Sequence, residues 1–183
     1  MSSLGEKALQ KIGRNVVGLQ KIELLLKTLV SLSKIEGNSS DIDQRFESRK
    51  GSIDKMTLGT VTREYFENLH SESCDDTKFP DDDVYISLKF RFDMKEEDVS
   101  SFQEFHKELV EERNHLIHGK LAYFDPSSSD MCLDLIDDLD TQYDRIAMAL
   151  RSLRTQLRAV LDLRSKARKW IEEEFDRILR EED

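Results

Sequence analysis

Apolar residues recur at Ile12, Val16, Leu19, Ile22, Leu26 and Val30, in steps of three and four. That spacing puts them on one side of a helix and predicts an amphipathic element from about Leu4 to Ile35. Gly5, Gly13 and Gly18 weaken its first half slightly and permit close packing against a neighbour. Glu36-Gly37-Asn38-Ser39-Ser40 ends it, and a polar charged loop is expected to about Lys55. A shorter helix is expected over Thr57 to Leu69, then an acidic loop from Ser71 to Asp83 containing Pro80. The period changes at Val84-Tyr85-Ile86-Ser87-Leu88-Lys89-Phe90-Arg91-Phe92, where apolar and polar residues alternate as in a β-strand. Its backbone needs a partner. The options are a short extended piece such as Leu121 to Phe124, or the same strand of another subunit.

Ser101-Phe102-Gln103-Glu104 fits a capping box and predicts a helix from Ser101 to about Lys120. Phe102, Phe105, Leu109, Val110 and Leu116 form its buried face. After Asp125-Pro126, Ser127 to Ser129 can cap a helix that has no Gly or Pro through Asp183. Along it Cys132, Ile136, Leu139, Tyr143, Ile146, Leu150, Leu153, Leu157 and Val160 alternate steps of four and three. This seam suits packing along another long helix. About 50 helical residues would span roughly 75 Å, so the far end is expected to meet another chain or project into solvent. These elements make one mainly α domain over 1–183, with one extra strand and a C-terminal helix over about 129–180.

Scarce glycine (7) and proline (2) agree with long helices. Cys74 and Cys132 have no framework spacing, so no disulfide scaffold is expected. No signal peptide and no long apolar run are apparent, which points to a cytoplasmic protein without a membrane partner. The net charge of −10 argues against a general nucleic-acid coat protein, but it is unevenly spread. From Arg145 to Trp170 eight bases face one acid, Asp162, so this segment is +7 and the remainder −17. Such a strip either meets RNA phosphates or pairs with the acidic remainder, within the chain or across a dimer.

The densest chemistry lies in Arg113-Asn114-His115-Leu116-Ile117-His118-Gly119. A guanidinium grips phosphate oxygens as a planar fork, and an imidazole moves protons near neutral pH. On an α-helix Asn114 and His118 share a face, whereas Arg113 points about 140° away from His118. Gly119 is expected to close the helix in the left-handed conformation. His118 would then lie beside bare carbonyls, where the helix dipole favours imidazolium.

Arg113-Asn114-x3-His118 resembles the Arg-x4-6-His motif of the HEPN superfamily, and Leu109 to His118 looks like the motif helix of its bacterial members. The resemblance implies a helical bundle, a homodimer whose motif helices share a cleft, and commonly a metal-independent endoribonuclease. Toxin–antitoxin and antiviral-defence systems are the setting it implies, with an antitoxin or other protein as a further partner. In that reading Arg113, Asn114 and His118 are catalytic. Arg113 stabilises charge on the phosphate, His118 transfers the proton, and Asn114 orients the imidazole or substrate. No cofactor is implied, because RNA supplies its own 2′-OH nucleophile. The expected substrate contacts are His115, Lys120, Arg151, Arg154 and Arg158. Lys120 also marks a departure: HEPN toxins regulated by nucleotide attachment carry a Tyr at that position. The competing reading is a non-catalytic helical dimerisation or interaction module that uses the heptad seam.

Weaker patterns are also present. His70, Cys74, His115 and His118 include helical spacings suited to zinc. Asp137, Asp138 and Asp140 either resemble a carboxylate cluster for Mg²⁺ or form an ordinary acidic helix start. Glu23 either meets Arg113 across a cleft or lies on a helix margin beside Lys27.

Overall fold

A computed structural model describes residues 3–38, 40–70 and 85–181. In chain order they form α1 (Ser3–Ser33), β1 (Lys34–Asn38), α2 (Ile42–Asp54), α3 (Leu58–Leu69), β2 (Tyr85–Lys89) and α4 (Glu96–Asn114). A π turn (His115–Gly119), a 3₁₀ turn (Lys120–Tyr123) and α5 (Ser129–Glu181) follow. The fold is mainly α, as expected, with a long C-terminal helix. The acidic loop expected over Ser71 to Asp83, including Cys74, lies outside the described residues. Among the described residues no helix is long and apolar enough to cross a membrane.

α1 and α5 are the two longest helices and run parallel. Gly5 approaches Pro126, Ala8 packs with Cys132 and Ile136, and Gly18 meets Ile146. Most of the predicted seam is used here: Cys132, Ile136, Leu139, Ile146, Leu153 and Val160 are buried, while Tyr143 is exposed. The long helix it packs along is therefore α1 of the same chain. A buried polar clasp fixes the register. Asn15, fully buried, donates to the Leu139 carbonyl (2.7 Å) and to Gln142 Oε1 (3.0 Å). Nearby, Lys11 and Arg14 both pair with Asp140.

α3 begins where the sequence suggests, with Thr57 Oγ1 accepting from the Thr60 N–H at 3.3 Å. α4 starts five residues earlier than expected. Ser101 is an interior residue whose hydroxyl donates to the Glu97 carbonyl, so no capping box forms. Instead Glu96, Glu97 and Asp98 fill the first turn, where acids complement the helix dipole. α3, α4 and the segment after β2 enclose an aromatic cluster of Tyr65, Phe66, His70, Phe92, Phe102 and His106.

Two expectations about the first half are corrected. The strand over residues 85–89 pairs not with Leu121 to Phe124 but antiparallel with β1, from Lys34↔Lys89 to Asn38↔Tyr85. Leu121 to Tyr123 lie in the 3₁₀ turn instead. The polar stretch before Lys55 is helix α2, not a loop. Only Ile53 of α2 is buried, and the Arg49 guanidinium ties the helix to Ser33 and Lys34.

α5 is one continuous helix of 53 residues, about 80 Å at ~1.5 Å per residue. From Leu161 to Glu174 every side chain is exposed or half-exposed.

Candidate functional site

The Arg113–Gly119 stretch does not end in a left-handed glycine. α4 widens into a π turn, in which the Lys120 N–H donates to both the His115 and Leu116 carbonyls. The chain then tightens into the 3₁₀ turn. Gly119 has φ −101°, and among the described residues no glycine has positive φ. Its lack of a side chain serves packing: a Cβ there would lie 3.2 Å from His115 Nδ1.

The wider turn changes which side chains align. Backbone bonds in a π-helix run i→i+5, so residues five apart approach the alignment that residues four apart have in an α-helix. His115 and Lys120 are five apart across the turn and border one crevice, whereas Arg113, five before His118, lies in α4 ahead of it. Leu116 anchors the turn, buried against Leu135 and Leu139 of α5.

Arg113 is half-buried and donates to Asn114 Oδ1 at 3.0 Å. It borders a crevice of about 50 Å³ against α1 and α3, with Glu23 and Ile117 also on its wall. Glu23 is paired with Lys27 at 2.7 Å, the helix-margin arrangement, although it shares this crevice with Arg113. His118 and Asn114 are exposed. His115 and Lys120 border a different crevice, of about 280 Å³, against α5. There Lys120 pairs with Asp138, and Arg145 bridges Glu108 (2.6 Å) and Glu112 (2.9 Å). Burial lifts the Glu112 carboxyl above the usual carboxylate range; Arg145 opposes this lift and Glu108 adds to it.

Arg151, Arg154 and Arg158 stand together elsewhere, on a groove of about 720 Å³ between α1 and α5. Arg14 and Lys21 of α1 complete a lining of five bases and no acid, over a floor that includes Val17, Ile146 and Leu150. None of the motif residues borders this groove. Arg14 is engaged, with its guanidinium 3.8 Å from the Tyr143 ring centroid and hydrogen-bonded to the Leu139 carbonyl. Lys21, Arg151, Arg154 and Arg158 are exposed and form no ion pair among the described residues. Elsewhere in the basic strip Arg145, Lys166 and Arg168 are paired with acids. Part of the strip is thus paired with acids, while Arg151, Arg154 and Arg158 have no acid partner among the described residues. Sequence reasoning missed Arg14 and Lys21. Their seven-residue spacing puts them on one face of α1, but nothing local shows that α5 lies alongside.

The weaker patterns resolve into structural roles. Asp138 and Asp140 are held by Lys120, Lys11 and Arg14. His70 belongs to the aromatic cluster, and Cys74 lies outside the described residues. Among the described residues no group of three or more His, Cys, Asp or Glu side chains is arranged to hold a metal ion.

No family model, no curated protein and no solved structure matches this chain.

Proposed function

We propose that the protein is a metal-independent RNA-cleaving enzyme of the HEPN kind, acting in a toxin–antitoxin or phage-defence setting. The observation that carries this reading is the Arg113-Asn114-x3-His118 spacing where α4 passes into a π turn, with His118 exposed there. Arg113 is half-buried in the last turn of α4, and His118 is open to solvent in the turn that follows. π turns occur frequently at functional sites, which adds support.

In the reaction, His118 takes the proton from a ribose 2′-OH as its oxygen bonds to the adjacent phosphorus. The bond from phosphorus to the 5′ oxygen breaks, a proton from water passes to that leaving oxygen, His118 gives its proton back to solvent, and a 2′,3′-cyclic phosphate remains. Arg113 balances the charge that grows on the phosphate oxygens. Asn114, tied to Arg113, orients the guanidinium. The unpaired bases of the α1–α5 groove hold phosphates of the same strand away from the scissile bond.

The test is RNA cleavage in EDTA by wild type, His118→Ala and Arg113→Ala. Loss of a positioned acid–base group is expected to slow cleavage by roughly 10²–10⁴-fold. An inert wild type, or equal cleavage by His118→Ala, sinks the enzymatic reading.

The second reading, a helical interaction module, draws support from α5 beyond Val160. The seam up to Val160 faces α1, so the surface free for a partner is the distal third of α5.

A further inference from the structure

The reaction assigned to Arg113 and His118 makes no use of the crevice between the π turn and α5. Its floor is apolar, made by the buried side chains of Leu116, Leu135 and Leu139. Its rim is polar, with Glu112 of α4, His115 and Lys120 of the two turns, and Asp138, Thr141 and Gln142 of α5. A volume of about 280 Å³ holds one small ring system, not a helix or a length of backbone.

The charges decide what kind of group fits. Lys120 is paired with Asp138, and Arg145 with Glu108 and Glu112, so each of these cations already has an acid beside it. A phosphate would meet the carboxylates, and a cation would meet Lys120 and Arg145. A wholly apolar group would leave the rim unmatched. A neutral, flat group with an apolar face and a hydrogen-bonding edge suits both floor and rim, and a nucleobase is such a group.

The bonds already made on the rim narrow the base. Glu112 Oε2 is buried and has no hydrogen-bond partner among the described residues. Lys120 takes Asp138 Oδ2 and leaves Oδ1. The Thr141 hydroxyl donates to the Asp137 carbonyl, so toward a ligand it accepts. Gln142 has its oxygen held by Asn15 at 3.0 Å and can offer only its amino group. Open carboxylate oxygens thus stand near the Lys120 ammonium. Guanine carries a ring N–H beside an amino group, for the carboxylates, and O6 and N7 acceptors for the lysine. Adenine and cytosine have the amino group without the ring N–H, and uracil has the ring N–H without the amino group.

We propose that the crevice between the π turn and α5 is a guanine-binding site, with Glu112 accepting from the N–H edge of the base and Lys120 donating to O6. His118 lies on the same turn as His115, so a guanosine seated here neighbours the bond that is cut. That last step rests on the ribonuclease reading; the binding does not.

Saturation-transfer NMR with guanosine, adenosine, cytidine and uridine reads the site without any cleavage. Guanosine alone is expected to bind. Glu112→Gln, which keeps the shape but removes the charged acceptor, and Lys120→Ala, at the half-exposed rim, should each weaken guanosine roughly tenfold or more, with helical circular dichroism unchanged. Wild type that does not bind guanosine, or that binds all four nucleosides alike, overturns the proposal. So does guanosine binding that neither variant weakens. In a second arm, oligouridylate with one internal guanosine should be cut beside it and all-uridine RNA should be cut more slowly; equal cutting of the two removes guanosine from the reaction. Guanosine binding without cleavage of any RNA supports the pocket and sinks the enzymatic reading alone.

Discussion

Gly13 and Gly18 lie five residues apart on α1 and answer to opposite demands. A Cβ at Gly18 would fall 2.6 Å from Ile146 Cγ2, whereas one at Gly13 would meet nothing within 4 Å. Gly18→Ala forces α1 and α5 apart or moves Ile146, and overpacking of this kind costs ~1–3 kcal/mol. Gly13→Ala gains helix propensity without a clash, by roughly 0.5–1 kcal/mol. Thermal melts of the two variants should therefore shift in opposite directions. Histidine protonation supplies a second residue-level test. His106 is buried, with Nδ1 against the Phe102 carbonyl at 2.9 Å and Nε2 unpartnered; His70 lies in the same aromatic cluster. Loss of hydration lowers both imidazole pKa values, and the nearby His106 lowers that of His70 further. The rings of Tyr65, Phe66, Phe92, Phe102 and Phe105 surround the pair, and Arg91, Asp93 and Glu96 border the crevice beside His70. In the unfolded chain both rings take protons near pH ~6.5, before the folded protein does. Stability is thus complete above about that pH and is lost as pH falls through it. Urea midpoints should drop between neutrality and about pH 5, and His106→Leu should flatten that dependence.

Among the elements, α1 and α5 are bound by a polar contact as well as by the seam. Asn15→Ala removes the buried amide donor to Gln142 Oε1, while the Leu139 carbonyl keeps its bond from Arg14. Leaving buried polar groups unmatched costs about 1–3 kcal/mol, so urea unfolding should show a loss of that order. The elements also differ in how plainly the sequence announced them. α1, α3 and α5 were legible because each buries a continuous apolar stripe, and a stripe is written in the order of residues. α2 was read as a loop because it buries only Ile53; it is held by Arg49 reaching Ser33 and Lys34, a contact that leaves no periodic trace. β1 has the sequence Lys-Ile-Glu-Gly-Asn and becomes a strand through pairing with β2, some fifty residues away. The motif residues were legible as chemistry, yet their geometry was not. A shift from i→i+4 to i→i+5 bonding happens in the backbone, and side-chain identities carry little sign of it. Likewise Arg151, Arg154 and Arg158 could be grouped from their helical spacing, whereas Lys21 joins them only through the parallel packing of α1 on α5.

Over the whole molecule, a chain of net charge −10 binds RNA only if a basic surface acts locally. Acids farther away than a Debye length, about 10 Å at 0.1 M salt, contribute little to the field in the α1–α5 groove. Within it Lys21, Arg151, Arg154 and Arg158 have no acid partner among the described residues, so they are the bases expected to displace counterions from a strand. For single-stranded RNA each neutralised phosphate contributes about −0.7 to the slope of log K against log salt concentration, which gives about −3 for four contacts. Fluorescence anisotropy with a single-stranded RNA oligonucleotide over a salt series measures that slope. Arg154→Ala should reduce it by about 0.7 and weaken binding to all sequences alike. Arg168→Ala is the control, because Arg168 lies outside the groove and is paired with Glu172; it should leave the slope unchanged. A slope near zero, or one that Arg154→Ala does not alter, would separate the groove from RNA and confine any nucleic-acid contact to the Arg113–His118 turn.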